Sequence, residues 1–171
     1  MVTAAESLLG LLCVRVKRGI NLAVRDVLFG SSDPYVVLSV SPKQKVKTRV
    51  IKHNTNPVWN EDLTLSIKDP SVPVRLEVYD KDTFTVDDPM GEAEVDIAPF
   101  VEIVKMSLKN VPNGRVIATV EPRRNNCLAE QSRIYFTNGK VRQDVVVRLR
   151  NVERGEIELQ LQWVSIPGYR R

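Results

Sequence analysis

A nine-residue stretch, VRLEVYDKD at residues 74–82, shows the pattern that recurs through this chain. Apolar residues stand at every second position from Val74 to Val78, which is typical of a strand with one buried face. Asp80 and Asp82 follow two positions apart, so extended backbone points both carboxylates the same way. The stretch therefore predicts a half-buried strand that ends in an acidic loop.

The same alternation recurs along the chain, with turn residues between the runs. Only one stretch has helical spacing, Phe100–Leu108, and it follows Pro99, which suits a first helical turn. Asn138-Gly139 is a strong hairpin signal. Many short strands with frequent turns predict an all-β antiparallel sandwich or barrel. The other alternating runs begin at Leu12, Val36, Val46, Leu63, Ala93, Val116, Ile134, Val145 and Ile157.

The length of 171 residues suits one domain whose core needs no disulfide or metal staple. Cys13 and Cys127 lack metal-type spacing, which favours a reduced cytosolic or nuclear setting. No apolar run approaches the roughly 20 residues of a membrane span. The first residues, with Glu6 ahead of a short apolar stretch, lack the basic region of a signal peptide, so none is expected.

The net charge of +4 is the sum of two opposite segments. Residues 41–58 contain five basic residues and no acid, whereas residues 77–96 contain eight acids and one lysine. Alternation places Lys45, Lys47 and Arg49 on one face of a single predicted strand. An acidic concentration of this kind indicates either a solvated loop or a cation site.

Acid pairs lie at the ends of two loops that are distant in sequence. Asp26 and Asp33 flank the first loop, and Asp80, Asp82 and Asp88 flank the second. If the loops are neighbours, these carboxylates converge on a pocket of the kind that Ca²⁺ occupies, with six to eight oxygen ligands. The alternative is that the aspartates are turn and capping residues. An EF-hand is excluded because no twelve-residue loop has the required glycine and glutamate.

Enzyme and nucleic-acid functions find little support. The single histidine, His53, has no Ser or Cys partner signal and is expected at the surface. The chain has no Gly-rich phosphate loop, and its length leaves no room for a sugar cleft around paired carboxylates. No aromatic residue is interleaved with the lysines, and Trp59 belongs to an expected packing motif, so a nucleic-acid partner is not expected.

Three motifs, in this order and spacing, resemble a C2 domain. The resemblance implies an eight-stranded antiparallel β-sandwich with calcium-binding loops at one end. It implies that Asp26, Asp33, Asp80, Asp82 and Asp88 are calcium ligands, and that Arg25 and Lys81 contribute backbone carbonyls only. The three motifs are SSDPYV at residues 31–36, NPVWNE at 56–61, and YDKD at 79–82 continuing to DPMG at 88–91.

Further motifs, at residues 19–26, 45–51 and 125–130, are similar to the plant C2-domain abscisic-acid-related family, also described as small C2 GTPase-activating proteins. The resemblance covers nearly the whole chain and implies a family-specific insert, a helix plus strands, at approximately 98–154. It implies calcium-dependent binding to anionic phospholipid, recruitment of abscisic acid receptors to the plasma membrane, and stimulation of an Obg-like GTPase/ATPase. The expected locations are the plasma membrane, the cytoplasm and the nucleus.

The first loop departs from the family pattern, because residues 27–30 (VLFG) lengthen it. The extra residues either displace Asp26 from its ligand position or add an apolar tip suited to the headgroup–acyl boundary. Phe29 alternatively folds back onto the sandwich, and the basic strand is alternatively only a solvated face. The residues expected to contact lipid are Leu28, Phe29, Lys43, Lys45, Lys47 and Arg49.

The competing hypothesis is a calcium-insensitive protein-interaction adaptor that acts through the insert. In that hypothesis the exposed pair Arg123-Arg124 assists a partner's phosphoryl transfer in trans. A solvated loop explains the same pair. In either case the chain activates or recruits other proteins and is not expected to be a catalyst itself.

Overall fold

The computed structural model describes residues 8–164, which excludes the segment around Glu6 that bears on the signal-peptide expectation. Within these residues the chain forms two antiparallel sheets and one helix, α1, at Ala98–Lys105. That helix has eight residues, and nothing helical in the described range is long and apolar enough to cross a membrane. The strands are β1 Gly10–Ile20, β2 Pro34–Ser41, β3 Gln44–Lys47, β4 Val58–Ile67, β5 Val74–Asp80, β6 Asp88–Val95, β7 Arg115–Val120, β8 Ser132–Thr137, β9 Lys140–Arg148 and β10 Glu156–Val164.

The two sheets confirm the all-β antiparallel sandwich. One sheet has the order β4-β1-β10-β9-β8-β7 and the other β3-β2-β5-β6. Alternating residues of β1, β5 and β10 are buried, as the period-2 pattern predicts, and the inward side chains of both sheets form one core. The predicted hairpin between β8 and β9 is present, with Asn138 at φ 50° and Gly139 at φ 77°.

The region expected as the insert, residues 98–154, includes β9 as well as α1, β7 and β8. β9 lies between β8 and β10, and it buries Val145 and Val147 in the core. We therefore propose that β9 completes the eight-stranded sandwich and that the family-specific addition is α1, the β7–β8 hairpin and their connecting loops. The helix is tied into the core through the buried Phe100.

Candidate calcium and membrane site

Strand register brings the two acidic loops to the same end of the sandwich. In the four-stranded sheet, Asp80 at the end of β5 lies opposite Pro34 of β2 and opposite Asp88 of β6. The amide of Asp33 donates a hydrogen bond of 2.7 Å to Asp80 Oδ1, and the amide of Lys81 donates one of 2.9 Å to the Asp33 carbonyl. The first loop and the loop after β5 are therefore joined by direct contacts, as the sequence hypothesis requires.

Asp80 is the buried centre of this arrangement, with only 9% of its surface exposed. Desolvation raises the pKa of its carboxyl group, and the charges of Asp33, Asp88 and Asp82 raise it further, while the hydrogen bond from the Asp33 amide lowers it. Asp88 lies directly across the strand pair from Asp80, and like charges in that position are destabilising. The charges of Asp33, Asp82 and Asp88 thus crowd the buried carboxylate of Asp80, and a bound cation would relieve that repulsion.

Asp82 and Asp87 shape the loop that follows β5. Asp82 accepts hydrogen bonds from the Thr85 hydroxyl at 2.6 Å and the Phe84 amide at 3.0 Å, and these bonds lower its pKa. Asp87 accepts one from the Asp82 amide at 2.9 Å and another from the Tyr35 hydroxyl. Local hydrogen bonds thus brace the loop, and Asp87, which is not among the predicted ligands, bonds to the loop backbone and to Tyr35.

Within residues 8–164, no hydrogen bond links Asp26 to any of the other four aspartates. Its backbone pairs with Ser31 across the base of the lengthened loop, and its Oδ1 accepts a 3.4 Å hydrogen bond from the Phe29 amide. The side chain of the preceding residue, Arg25, contacts Glu153 through two hydrogen bonds of 3.1 Å. The β9–β10 connection therefore holds the base of the first loop, and the Asp26 carboxylate bonds to the backbone of Phe29 within the loop.

The side-chain atoms available at this site are of the kind that bind calcium. The four grouped side chains offer carboxylate oxygens, the ligands that hard cations prefer, and no soft ligand is among them. Across residues 8–164, however, no three His, Cys, Asp or Glu side chains are already arranged as a metal-holding group. Asp33 Oδ1 is partly engaged, because it accepts a 2.8 Å hydrogen bond from the His53 amide. The residues fit a calcium ion by type and location, and occupancy requires their carboxylates to draw closer.

Exposed apolar side chains surround the acidic site on both loops. Leu28 is 91% exposed and Phe29 74% exposed on the first loop, so Phe29 does not fold back onto the sandwich. Phe84 is 94% exposed and Val86 88% exposed on the second. The sequence analysis missed Phe84 and Val86, although an aromatic residue within an acidic loop is a detectable signal. Large apolar groups at a shared tip are typical of surfaces that insert into lipid.

The basic segment is only partly as predicted. β3 ends at Lys47, so Lys45 and Lys47 share its exposed face while Arg49 lies beyond the strand. Arg49 does not stand free, because its guanidinium lies 3.3 Å from Glu61. The ladder is interrupted at Thr48, because the Val36 amide donates its 3.0 Å hydrogen bond to the Thr48 hydroxyl and not to a backbone carbonyl. The prediction that Arg49 lies on the same strand as Lys45 and Lys47 is therefore wrong.

Lys47 has an aromatic neighbour that strand spacing did not indicate. Its Nζ lies 5.9 Å from the ring centroid of Tyr35, within the range of a cation–π interaction. Tyr35 in turn stacks on Tyr79 at 5.7 Å. Lys43 and Lys45 are exposed without a carboxylate partner in the described part of the chain, so three lysines of this segment remain available to anions.

The comparisons with known proteins agree with this geometry. The C2 domain family model matches residues 10–112. GTPase activating protein 1 of Oryza sativa subsp. indica is 66% identical over 161 residues, 94% of this chain and 95% of that protein. Protein C2-DOMAIN ABA-RELATED 5 of Arabidopsis thaliana is 60% identical over 163 residues, 95% of this chain and 80% of that protein. The calcium-bound pair of C2 domains of Extended-Synaptotagmin 2 has a TM-score of 0.60 at 23% identity, over 92% of this chain and 46% of that chain, which shows the fold alone.

Two acidic loops at one end of an antiparallel sandwich define this protein as a C2 domain. More specifically, the chain belongs to the family of the C2-domain ABA-related proteins and GTPase activating protein 1, which confirms the resemblance seen in the sequence. C2 domains commonly bind calcium and phospholipid membranes. Membership supports a C2 signalling adaptor with peripheral membrane association.

The crowding of acids around Asp80 leads to a stability prediction. In the presence of a calcium chelator, Asp80→Asn is expected to raise the melting temperature by about 1–4 °C, because removing one of two like charges that face each other relieves roughly 0.5–1 kcal/mol. The asparagine oxygen still accepts the Asp33 amide. If the site binds calcium, the order reverses in excess calcium, because a ligand at a hundredfold excess over its Kd stabilises the folded chain by about 2.7 kcal/mol. Thermal unfolding measured in both conditions checks this, and the exposed Glu102→Gln is a control expected to follow the unmodified chain.

Proposed function

We propose that this protein is a calcium-dependent phospholipid-binding adaptor. The observation that carries the proposal is the buried carboxylate of Asp80, surrounded by Asp33, Asp82 and Asp88 between two loops with exposed apolar tips. Without a cation, the negative charge of this end opposes approach to an anionic leaflet. Isothermal titration tests the first step: heat on adding Ca²⁺, and much less with Mg²⁺, is expected, whereas no heat with Ca²⁺ would contradict the proposal.

Different residues of the chain would bind the metal and enter the lipid. Asp33, Asp80, Asp82 and Asp88 would hold the metal, with Asp26 and the backbone carbonyls of Arg25 and Lys81 as the remaining proposed ligands. Bound calcium would supply positive charge and open coordination positions for lipid phosphate oxygens. Leu28 and Phe29 on the first loop and Phe84 on the second enter the headgroup–acyl boundary. This end of the sandwich thereby joins electrostatic and apolar attraction in one contact.

The exposed lysines of the basic segment add attraction to an anionic surface. Each lysine near such a surface contributes about 1 kcal/mol, so Lys45→Gln with Lys47→Gln is expected to weaken vesicle binding by about thirtyfold in saturating calcium. Flotation with phosphatidylserine vesicles measures the change, and the loss should shrink at high salt. Arg115→Gln with Lys140→Gln, exposed residues at the start of β7 and β9, is the charge-matched control. Equal weakening by both pairs would show a net-charge effect only.

We further propose that the added α1 and β7–β8 region binds the adaptor's protein partners, abscisic acid receptors and an Obg-like GTPase/ATPase. The names of the relatives, ABA-related proteins and GTPase activating protein 1, support these two partner classes. β7 is an edge strand of the six-stranded sheet and its Val116 is 45% exposed, so the region offers an unpaired, partly apolar edge. The alternative hypothesis, a calcium-insensitive adaptor, assigns partner binding to the same region.

Point variants separate the two candidate functions better than deletion does. Removing residues 98–154 also removes the core strand β9 and the buried Phe100, so the truncated chain would not retain its fold. Val116→Asp is expected to weaken capture of a receptor or GTPase and leave vesicle binding intact, with Val72→Asp as the control. Partner capture that is equal with calcium and with chelator, in solution without lipid, would favour the calcium-insensitive adaptor.

The proposed locations follow from the proposed calcium dependence of membrane binding. With calcium, the protein is expected at the plasma membrane, whose cytoplasmic leaflet is anionic. Without calcium, it is expected in the cytoplasm and the nucleus. Imaging of a fluorescent fusion before and after a rise in cytosolic calcium tests this relocation.

A further inference from the structure

An arginine-lined cavity is formed without any residue of the two acidic loops. It has a volume of about 740 Å³ and is formed by the loop Pro122–Cys127 and by Arg148–Arg150 at the end of β9. No acid is among the residues that line it. Arg150 is bound to the middle of β6, where its amide donates a 2.7 Å hydrogen bond to the Glu92 carbonyl. The cavity therefore lies where the end of β9 meets β6. Four arginines line it: Arg123, Arg124, Arg148 and Arg150.

These four arginines lack carboxylate partners within residues 8–164. The carboxylate of Glu92, whose backbone is hydrogen-bonded to that of Arg150, is engaged by Arg75 and by the side-chain amide of Asn151. Four positive charges around one cavity repel one another, and an anion in the cavity would relieve that repulsion. Five arginines elsewhere in the described residues form ion pairs, namely Arg15, Arg18, Arg25, Arg49 and Arg75. What distinguishes the four unpaired arginines here is that they line one cavity with no acid among them.

Hydrogen bonds fix the walls of the cavity before any ligand arrives. Asn126 Oδ1 accepts the amides of Arg123 at 3.0 Å and Leu128 at 3.1 Å, which closes the loop into a turn. The Arg148 amide donates to the Cys127 carbonyl at 2.7 Å, and Arg148 Nε donates to the Leu128 carbonyl at 3.2 Å. These bonds hold the Arg148 side chain in place. The side chains of Arg123, Arg124 and Arg150 are, like that of Arg148, exposed and accessible to a ligand.

We propose that this cavity binds a multiply phosphorylated small anion, either a soluble inositol phosphate or the headgroup of a phosphoinositide. Guanidinium groups donate paired, parallel hydrogen bonds that match phosphate oxygens, and several arginines around one cavity suit a ligand with several phosphates. The site uses neither the aspartates of the calcium loops nor the lysines of β3. It therefore acts in the absence of calcium and does not depend on the proposed calcium-gated function.

Calorimetric titration with inositol hexakisphosphate, in a calcium chelator, tests the proposal. The variant Arg123→Gln with Arg124→Gln is expected to bind at least about tenfold more weakly than the unmodified chain. Arg115→Gln with Lys140→Gln removes the same charge at the start of β7 and β9, and Lys45→Gln with Lys47→Gln removes it from β3. Both pairs are expected to retain most of the affinity, and thermal unfolding shows that every variant is folded.

The outcomes decide both the site and the source of the anion. Equal losses in all three double variants, or no binding by the unmodified chain, would overturn the proposal. A second arm uses calcium-free vesicles with and without phosphatidylinositol 4,5-bisphosphate. Binding that Arg123→Gln with Arg124→Gln removes identifies a lipid headgroup as a ligand. Binding of the soluble anion alone identifies a free inositol phosphate, and both results support the proposed chemistry.

Discussion

A chain carrying Asp80→Asn and Asp82→Asn is expected to lose calcium-dependent sedimentation with phosphatidylserine vesicles. The two substitutions remove charge from the buried centre of the acidic site and from the loop that follows it. Calcium affinity depends on the number of charged ligands, so a loss of about a hundredfold or more is expected. Because asparagine oxygens still accept the amides of Asp33 and Phe84, the loops should keep their conformation.

The control for this variant is Glu94→Gln with Glu102→Gln, which makes the same change in net charge on exposed residues of β6 and α1. It is expected to sediment with vesicles as the unmodified chain does. Calorimetry without lipid should show that only the aspartate variant loses the heat of calcium binding. Undiminished calcium-dependent sedimentation of the aspartate variant would remove the acidic loops from the mechanism.

Replacing the apolar loop tips is expected to have an effect of similar size. The triple variant Leu28→Ser, Phe29→Ser and Phe84→Ser removes three exposed side chains, each of which contributes about 1.5–3 kcal/mol when fully buried in an apolar phase. Even partial insertion of all three predicts vesicle affinity at least about a hundredfold weaker. Flotation in saturating calcium measures the change.

This variant also separates lipid insertion from metal binding. Its calcium affinity in solution and its melting temperature should match those of the unmodified chain, since the three side chains are exposed in the free protein. Val72→Ser with Val164→Ser, near the start of β5 and at the end of β10, is the control for loss of exposed apolar surface. If the tip variant and this control bind vesicles equally well, the loops do not insert.

Local sequence pattern predicts most of the fold because side-chain direction alternates along every strand. The hairpin at Asn138-Gly139 and the helix after Pro99 are local signals of the same kind, and the structure contains both. The position of β9 in the sheet is not a local signal. Its partners are β8 and β10, and the alternation of Val145 and Val147 does not say which strands lie beside it. Sequence alone therefore does not assign β9 either to the sandwich or to the insert.

The candidate site likewise combines features that local sequence pattern predicts with features that only the fold reveals. Spacing at the loop ends predicts Asp80, Asp82 and Asp88. The structure adds the burial of Asp80 and its cross-strand pairing with Asp88, which spacing does not give. Exposure at a loop tip has no periodicity, so Phe84 was missed. The pairing of Arg49 with Glu61 depends on a contact between β4 and the segment after β3. The arginine cavity joins residues more than twenty positions apart, which no local motif reveals.

Co-sedimentation of the unmodified chain with phosphatidylserine vesicles, as free calcium is raised from chelated to saturating, tests the central claim most directly. The account predicts little binding with chelator, steep binding as calcium rises, and release when chelator is added back. Phosphatidylcholine vesicles should bind far less at every calcium concentration. Binding to phosphatidylserine that is equally strong with and without calcium would contradict the account.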